Sequence, residues 1–364
     1  MKKAIISLSL LLVAGFYACK KSAPENAAPI ASATPVLPEI TERYYAVNTT
    51  SDLSKINEKA TLGRVLFYDK HLSLNNAVSC ASCHKQEYAF SDNVPLSRGF
   101  ENRFTVRNSM AIQNLSSSFS SGVTFNIGLF WDGREANVKN LIMRPVTNHV
   151  EMGIDDVNAL ADKLAALSYY KKLFANAYGN EYVTPDRISE SISLFIGAIT
   201  ANKTRFDITQ IGRASFSALE AEGEMLFNTK YNCSRCHNIF PGGYNGLAMF
   251  DIGLDAVAKD KGRGELDGPA WDGMFKTPNL RNVGLTAPYM HDGRFATLRD
   301  VLDHYSRGIN NSRNLAPELK DDNGEPMRMN ISEHEKDALI AFLNTLTDYE
   351  MITAAKYADP FTIQ

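Results

Sequence analysis

Past its first fifteen residues the sequence has no run of about 18 apolar residues, which excludes a later membrane-spanning helix. An excess of positive charge is also lacking. Lys and Arg number 38 against 41 Asp and Glu, a formal net charge of -3, so there is no basic field for a nucleic acid. Few stretches alternate strictly between apolar and polar residues, and little sheet is expected. Cysteine is scarce, five in 364 residues, yet four of the five fall in two copies of one spacing. A chain of this length is long for one small core, and two domains of about 100–200 residues are expected.

What is present starts with those cysteines. Cys80-Ala81-Ser82-Cys83-His84 recurs as Cys233-Ser234-Arg235-Cys236-His237. Two thiols spaced C-x-x-C reach the two vinyl groups of one porphyrin, and the histidine that follows is placed to ligate the iron. A zinc half-site or a thioredoxin-like redox pair explains neither the adjacent histidine nor the repetition. Two covalently bound c-type haems are therefore expected, and such attachment implies maturation outside the bacterial cytoplasm.

The remaining cysteine, Cys19, follows the basic start Lys2-Lys3 and an apolar run from Ala4 to Gly15 that is too short for a permanent span. Residues 1–19 read as an export signal. Cys19 stands where a lipoprotein signal is cut. Ala18 fits that site, whereas Phe16 replaces the usual aliphatic residue; the alternative is a plain secretory signal with a bystander cysteine. A lipid on Cys19 would anchor a periplasmic protein to a membrane. Residues 20–41, with Pro24, Pro29, Pro35 and Pro38 among alanines, read as an extended tether, and folded sequence is expected from there on.

The repetition extends beyond the haem motifs. Gly63-Arg64-Val65-Leu66-Phe67 is echoed by Gly223-Glu224-Met225-Leu226-Phe227, Arg107-Asn108 by Arg281-Asn282, and Trp131-Asp132-Gly133-Arg134 by His291-Asp292-Gly293-Arg294. Each half closes on an amphipathic helix. One is started by Thr184-Pro185 and turns Ile188, Ile192, Phe195 and Ile199 to one side; the other has a Ser332/Glu335 capping box and an inner face of Leu339, Phe342, Leu343 and Leu346. Period and order predict an all-α fold of two cytochrome c-like haem domains related by internal duplication, over residues 42–204 and 205–364, with little sheet.

With the haem motifs, the Phe130–Arg134 stretch, the Glu151 region and the stretch from Thr277 to Arg294 assembled, the sequence from about Thr50 to Thr347 resembles the bacterial di-haem cytochrome c peroxidase family. That family includes the enzyme that matures the tryptophan-derived cofactor of methylamine dehydrogenase. The resemblance implies that the first haem, with His84 as proximal ligand, meets hydrogen peroxide on an open face. Many members place a displaceable histidine across from it. Here that loop reads Gly99-Phe100-Glu101-Asn102-Arg103, and no histidine occurs between His84 and His149. A five-coordinate site is therefore expected, with Met110 as the residue that would otherwise close it.

Glu151 matches the family's distal acid. A carboxylate in a half-buried pocket can take a proton from one peroxide oxygen and deliver it to the leaving one. The alternative is a surface glutamate capping a helix that starts near Asp155. His149 reads as a satisfied loop histidine. Trp131 matches the tryptophan between the haems, a relay for electrons or an interface packing residue; Trp271 reads as packing.

The second haem, with His237 proximal, is implied to carry electrons. Helical spacing puts Leu298, Val301, Leu302 and Tyr305 on one inner face and turns His304 about 100° away. Other peroxidases of the family have methionine where Tyr305 stands, so the match is to the tyrosine-ligated maturation enzyme. A phenolate ligand lowers the potential relative to methionine; Met290, Met327 and Met329 are the alternative ligands. The resemblance also implies a calcium ion held by Asn108, Thr286 and Pro288, a small redox protein as electron donor, and room for a homodimer. Its activity would be peroxide reduction. The alternatives are oxidation of a partner protein's side chains, or plain electron transfer with both irons sealed.

Overall fold

The computed structural model describes residues 34–35, 44–45, 55–115, 128–237, 239 and 248–361. The expectations for the export signal, for Cys19 and for nearly all of the tether lie outside these residues. Among the described residues no helix is long and apolar enough to cross a membrane.

Helix α1 (Ile56–Tyr68) buries Leu62, Val65, Leu66 and Phe67 completely. Helix α2 (Pro185–Ala198) begins as expected, with the Thr184 side chain accepting from Arg187 N and proline in the first turn. Ile188, Ile192 and Phe195 on its inner face are wholly buried, as is Ile199 just beyond it. Helix α3 (Ala218–Met225) runs into a wide π turn, Leu226–Lys230. Helix α4 (Leu298–Asp303) ends in a second π turn, His304–Gly308. Helix α5 (Glu333–Asn344) has the Ser332/Glu335 capping box and buries Leu339, Phe342 and Leu343. Sheet is confined to β1 (Met249–Phe250) and β2 (Phe275–Lys276), an antiparallel pair with Met249 opposite Lys276. The fold is mostly helical, as the scarcity of alternating stretches predicts.

The echoes in the sequence have a physical content. A β-carbon on Gly63 would stand 1.9 Å from the carbonyl oxygen of Ser191, and one on Gly223 would stand 2.0 Å from that of Ala338. In each half, glycine lets two helices touch backbone to backbone, α1 on α2 and α3 on α5, and the Leu-Phe pair that follows is buried beneath the crossing. Gly63→Ala or Gly223→Ala forces that crossing apart. Each is expected to cost about 1–3 kcal/mol, read as a lowered midpoint in denaturant titration with an unchanged slope.

The two Asp-Gly-Arg stretches form the same turn. Leu129 bridges Glu135 and Tyr289 bridges Phe295, both antiparallel. Gly133 and Gly293 both have φ 66°, and Asp132 and Asp292 each accept from the backbone N–H two residues on at 3.2 Å. Both Arg-Asn pairs tie segments together. Arg107 grips Asp260 with two bonds of 2.7 and 2.8 Å and reaches Asp132 at 2.6 Å. Buried Arg281 holds Asp207 through two bonds of 2.7 Å.

Apolar side chains gather in two clusters. One is built on Leu66, Phe67, Tyr170, Phe174, Ile192 and Phe195, the other on Phe206, Leu226, Phe227, Leu339 and Phe342. The end of the chain returns to the first cluster through Met351 and Tyr357, whose hydroxyl donates to Ala198 O at 2.7 Å.

Candidate haem cavity

A cavity of about 800 Å³ opens between these elements, and the four cysteines and two histidines of the two C-x-x-C-H motifs line it: Cys80, Cys83, His84, Cys233, Cys236 and His237. Each motif is a single tight turn, Cys80–Ser82 and Cys233–Arg235. The N–H of His84 closes on Cys80 O at 3.0 Å and that of His237 on Cys233 O at 3.0 Å, so two thiols and an imidazole share one face.

The imidazoles are oriented by backbone carbonyls, with His84 Nδ1 at 2.9 Å from Phe90 O and His237 Nδ1 at 3.1 Å from Pro278 O. A carbonyl only accepts, so the hydrogen sits on Nδ1 and the lone pair of Nε2 is left for a metal. Burial pushes both imidazoles below their ordinary pKa, towards the neutral form that binds iron. Two thiols, an aimed imidazole and an adjoining apolar space, found twice, fit a c-type haem in each half.

On the first side, half-buried Glu151 lines the cavity. Burial raises its pKa above the ordinary value, opposed by the charge of Arg134 and by Asn148, whose Nδ2 donates to Glu151 Oε1 at 2.9 Å. The helix that follows is Val157–Ala165 and is capped by Asp156, so Glu151 does not cap it. The loop over residues 99–103 supports Glu151 from behind. Phe100 N donates to Glu151 O at 2.8 Å, and a β-carbon on Gly99 would stand 2.1 Å from Val150 O. No residue from 99 to 103 lines the cavity, while Met110 does. His149 lies at the surface, its side chain 59% exposed and paired with Asp155 at 3.2 Å.

Trp131 lines the cavity; its Nε1 donates to Asn108 O at 2.9 Å and its carbonyl accepts from Lys276 N at 2.7 Å. Trp271 departs from the expected packing role. It is 40% exposed on the short turn Pro269–Trp271, which follows Gly268 at φ 89°.

On the second side, Leu298, Val301, Leu302 and Tyr305 all line the cavity. The Tyr305 phenol is pushed far above its ordinary pKa, first by burial and then by the neighbouring Cys233 and Cys236, which places it beside the second cysteine pair. His304 points elsewhere and meets Ile252 O at 2.9 Å through Nε2. Met290, Met327 and Met329 also line the cavity, as do Asn108, Thr286 and Pro288.

Three contributors have no role in the sequence reading: Arg134 beside Glu151, and the carbonyls of Phe90 and Pro278. Arg134 carried a signal in the repeated Asp-Gly-Arg, whereas a backbone carbonyl leaves none. Lys276, also on the cavity wall, carried none either.

A protein-family model described as di-haem cytochrome c peroxidase matches residues 57–215. The methylamine utilization protein MauG of Methylorubrum extorquens is 34% identical over 294 residues, 79% of this chain and 78% of that protein. The cytochrome c551 peroxidase of Nitrosomonas europaea is 29% identical, over 80% of each chain. Among solved structures, a MauG-like protein associated with microbial copper homeostasis superposes with a TM-score of 0.72 at 29% identity, covering 93% of this chain and 100% of that one. With two haem cradles in place and these likenesses over most of its length, the chain belongs to the di-haem cytochrome c peroxidase family, whose members carry two c-type haems.

Proposed function

We propose that this protein reduces hydrogen peroxide to water with electrons from a small redox protein, in an exported form anchored to a membrane through Cys19, with its two haem domains meeting near residue 204. The observation that carries the reading is Glu151, a half-buried carboxyl of raised pKa on the same cavity wall as His84. When bound, the haems supply an iron that takes up peroxide and a second iron that passes electrons to it. The protein's own part is to hold and move protons. Glu151 removes the proton from the attacking peroxide oxygen and returns it to the departing one, which leaves as water rather than hydroxide. Two electrons and two protons then convert one peroxide into two waters.

Arg134, ion-paired to Asp132 at 2.8 Å, sets the field around Glu151. Trp131, its indole fixed by Asn108 O and its carbonyl by Lys276 N, is assigned as the electron relay between the two haems. We assign Asn108, Thr286 and Pro288 to a calcium ion. The Asn108 Nδ2 already donates to Val94 O and Pro95 O at 3.1 and 3.2 Å, which leaves its Oδ1 for a cation.

Electron paramagnetic resonance of the fully ferric protein tests the open site. One high-spin and one low-spin haem are expected, since no residue of the 99–103 loop reaches the cavity. Two low-spin haems would mean a distal ligand on the first haem, and with it either a peroxidase that must be opened by reduction or a sealed electron carrier. A second reading, oxidation of a partner protein's side chains, is favoured by Tyr305 beside Cys233 and Cys236. Tyr305 would offer the second haem a hard anionic donor, a chemistry suited to holding oxidising equivalents for a protein substrate. Steady-state peroxide consumption with a reduced small cytochrome or copper protein separates the two, because rapid turnover belongs to the first reading alone.

A further inference from the structure

Lys276 occupies an unusual place for a lysine. It is 5% exposed, sits on β2 opposite Met249 and forms part of the cavity wall. Its backbone N–H is fixed to Trp131 O at 2.7 Å, and two residues on, Pro278 O orients His237. Among the described residues its ammonium has no hydrogen bond and no ion pair. Burial lowers its pKa, to about 8.

A cation buried without a counter-ion is costly, and such groups in native proteins are paired. The other acids on the cavity wall have partners of their own: Asp260 is held by Arg107, Asp255 by Arg294, Glu151 by Asn148 and Asp251 by Gly253 N. Glu318 faces Arg235 at 3.9 Å. The remaining source of negative charge is the cofactor. A c-type haem is tied to its cysteines along one edge, through the vinyl carbons, and carries two propionates on the opposite edge. A buried cation on the cavity wall with no hydrogen bond or ion pair among the described residues suits one of those propionates. We infer that Lys276 is a haem-propionate anchor at the junction of the two haem sites, one whose backbone is tied to Trp131, so that propionate, ammonium and indole are held in one register. The assignment rests on the family's haem content and not on the peroxidase reading.

The test uses the full-length holoprotein in wild-type form and as Lys276→Met, Lys276→Gln and Lys276→Arg, with haem content and thermal midpoint checked first. A positive charge beside a propionate favours the ferrous state, which carries one positive charge fewer than the ferric state. Lys276→Met and Lys276→Gln should therefore both lower the midpoint potential of one haem in spectroelectrochemical titration and shift its propionate bending band in the resonance Raman spectrum. Lys276→Arg should restore both. A merely structural lysine would move the thermal midpoint and leave band and potential in place. Either neutral variant with both haem potentials and the propionate bands unchanged overturns the assignment. Because peroxide turnover is not among the readouts, a chain that proves to be no peroxidase leaves this test intact.

Discussion

Replacing Glu151 by glutamine should lower peroxide turnover by about 10²- to 10⁴-fold, the range that a positioned acid–base group contributes, while both haems stay attached and spectroscopically unchanged. The amide has nearly the shape of the carboxyl, and its oxygen can still accept from Asn148 Nδ2. It can neither take a proton from peroxide nor give one to the leaving oxygen. Glu151 must be ionised to begin. Since burial raises its pKa above 4.5, with Arg134 and Asn148 pulling the other way, wild-type activity should fall on the acid side at a pH above that of an ordinary glutamate. The variant should lose that limb.

Stability runs in the opposite sense. A carboxyl with a raised folded-state pKa binds its proton more tightly when folded. Stability is therefore lost as the pH rises from 4.5 through the raised value. Glutamine never ionises, so Glu151→Gln should be at least as stable as the wild type at neutral pH. A variant that retains full turnover would remove Glu151 from the mechanism; a variant that melts early would show that the carboxylate serves the fold.

Legibility in this sequence follows how local the cause is. Thr184-Pro185 and Ser332/Glu335 act within one turn of chain, so both helix starts stand where they are expected, and the 3.6-residue period names the buried faces on either side. The haem motifs are legible because covalent attachment fixes spacing within five residues. The glycine echo is visible in the sequence, but its reason is not. Gly63 is glycine because of Ser191 O, 128 residues away, and no local rule reports that contact. Trp271 shows the same limit from the other side: a tryptophan's size argues for packing, yet on the short turn after Gly268 it is 40% exposed. Helical spacing turns Tyr305 to the side of Leu298, Val301 and Leu302, and it lines the cavity with them although the chain beyond α4 widens to a π turn at His304, a kind of turn that frequently accompanies functional sites. Lys276 is the least legible of all, since a lysine in a two-residue strand gives no sign that water is excluded from it.

The largest single change is expected from Tyr305→Met. The Tyr305 hydroxyl makes no hydrogen bond among the described residues, lines the cavity and sits beside Cys233 and Cys236. Burial pushes its pKa far up, so within this protein alone it would stay a neutral phenol. Only direct bonding to a metal cation would hold it as phenolate, in the way a coordinated thiol or water loses its proton. A phenolate stabilises ferric over ferrous iron, whereas a thioether is neutral and soft and raises the potential. The axial ligand is among the strongest controls on a haem, able to move its potential over roughly 0.8 V. Tyr305→Met should raise the potential of the second haem by about 0.2 V, which at about 59 mV per tenfold for one electron is a shift of roughly 10³-fold towards the ferrous form. Spectroelectrochemical titration reads this directly, and the first haem serves as an internal reference. Tyr305→Phe completes the argument, because it removes the donor and offers no replacement. A second haem that turns high-spin in Tyr305→Phe identifies the phenol as its ligand. A second haem that stays low-spin there, with its potential unmoved in Tyr305→Met, assigns the bond to Met290, Met327 or Met329 and returns Tyr305 to the apolar wall.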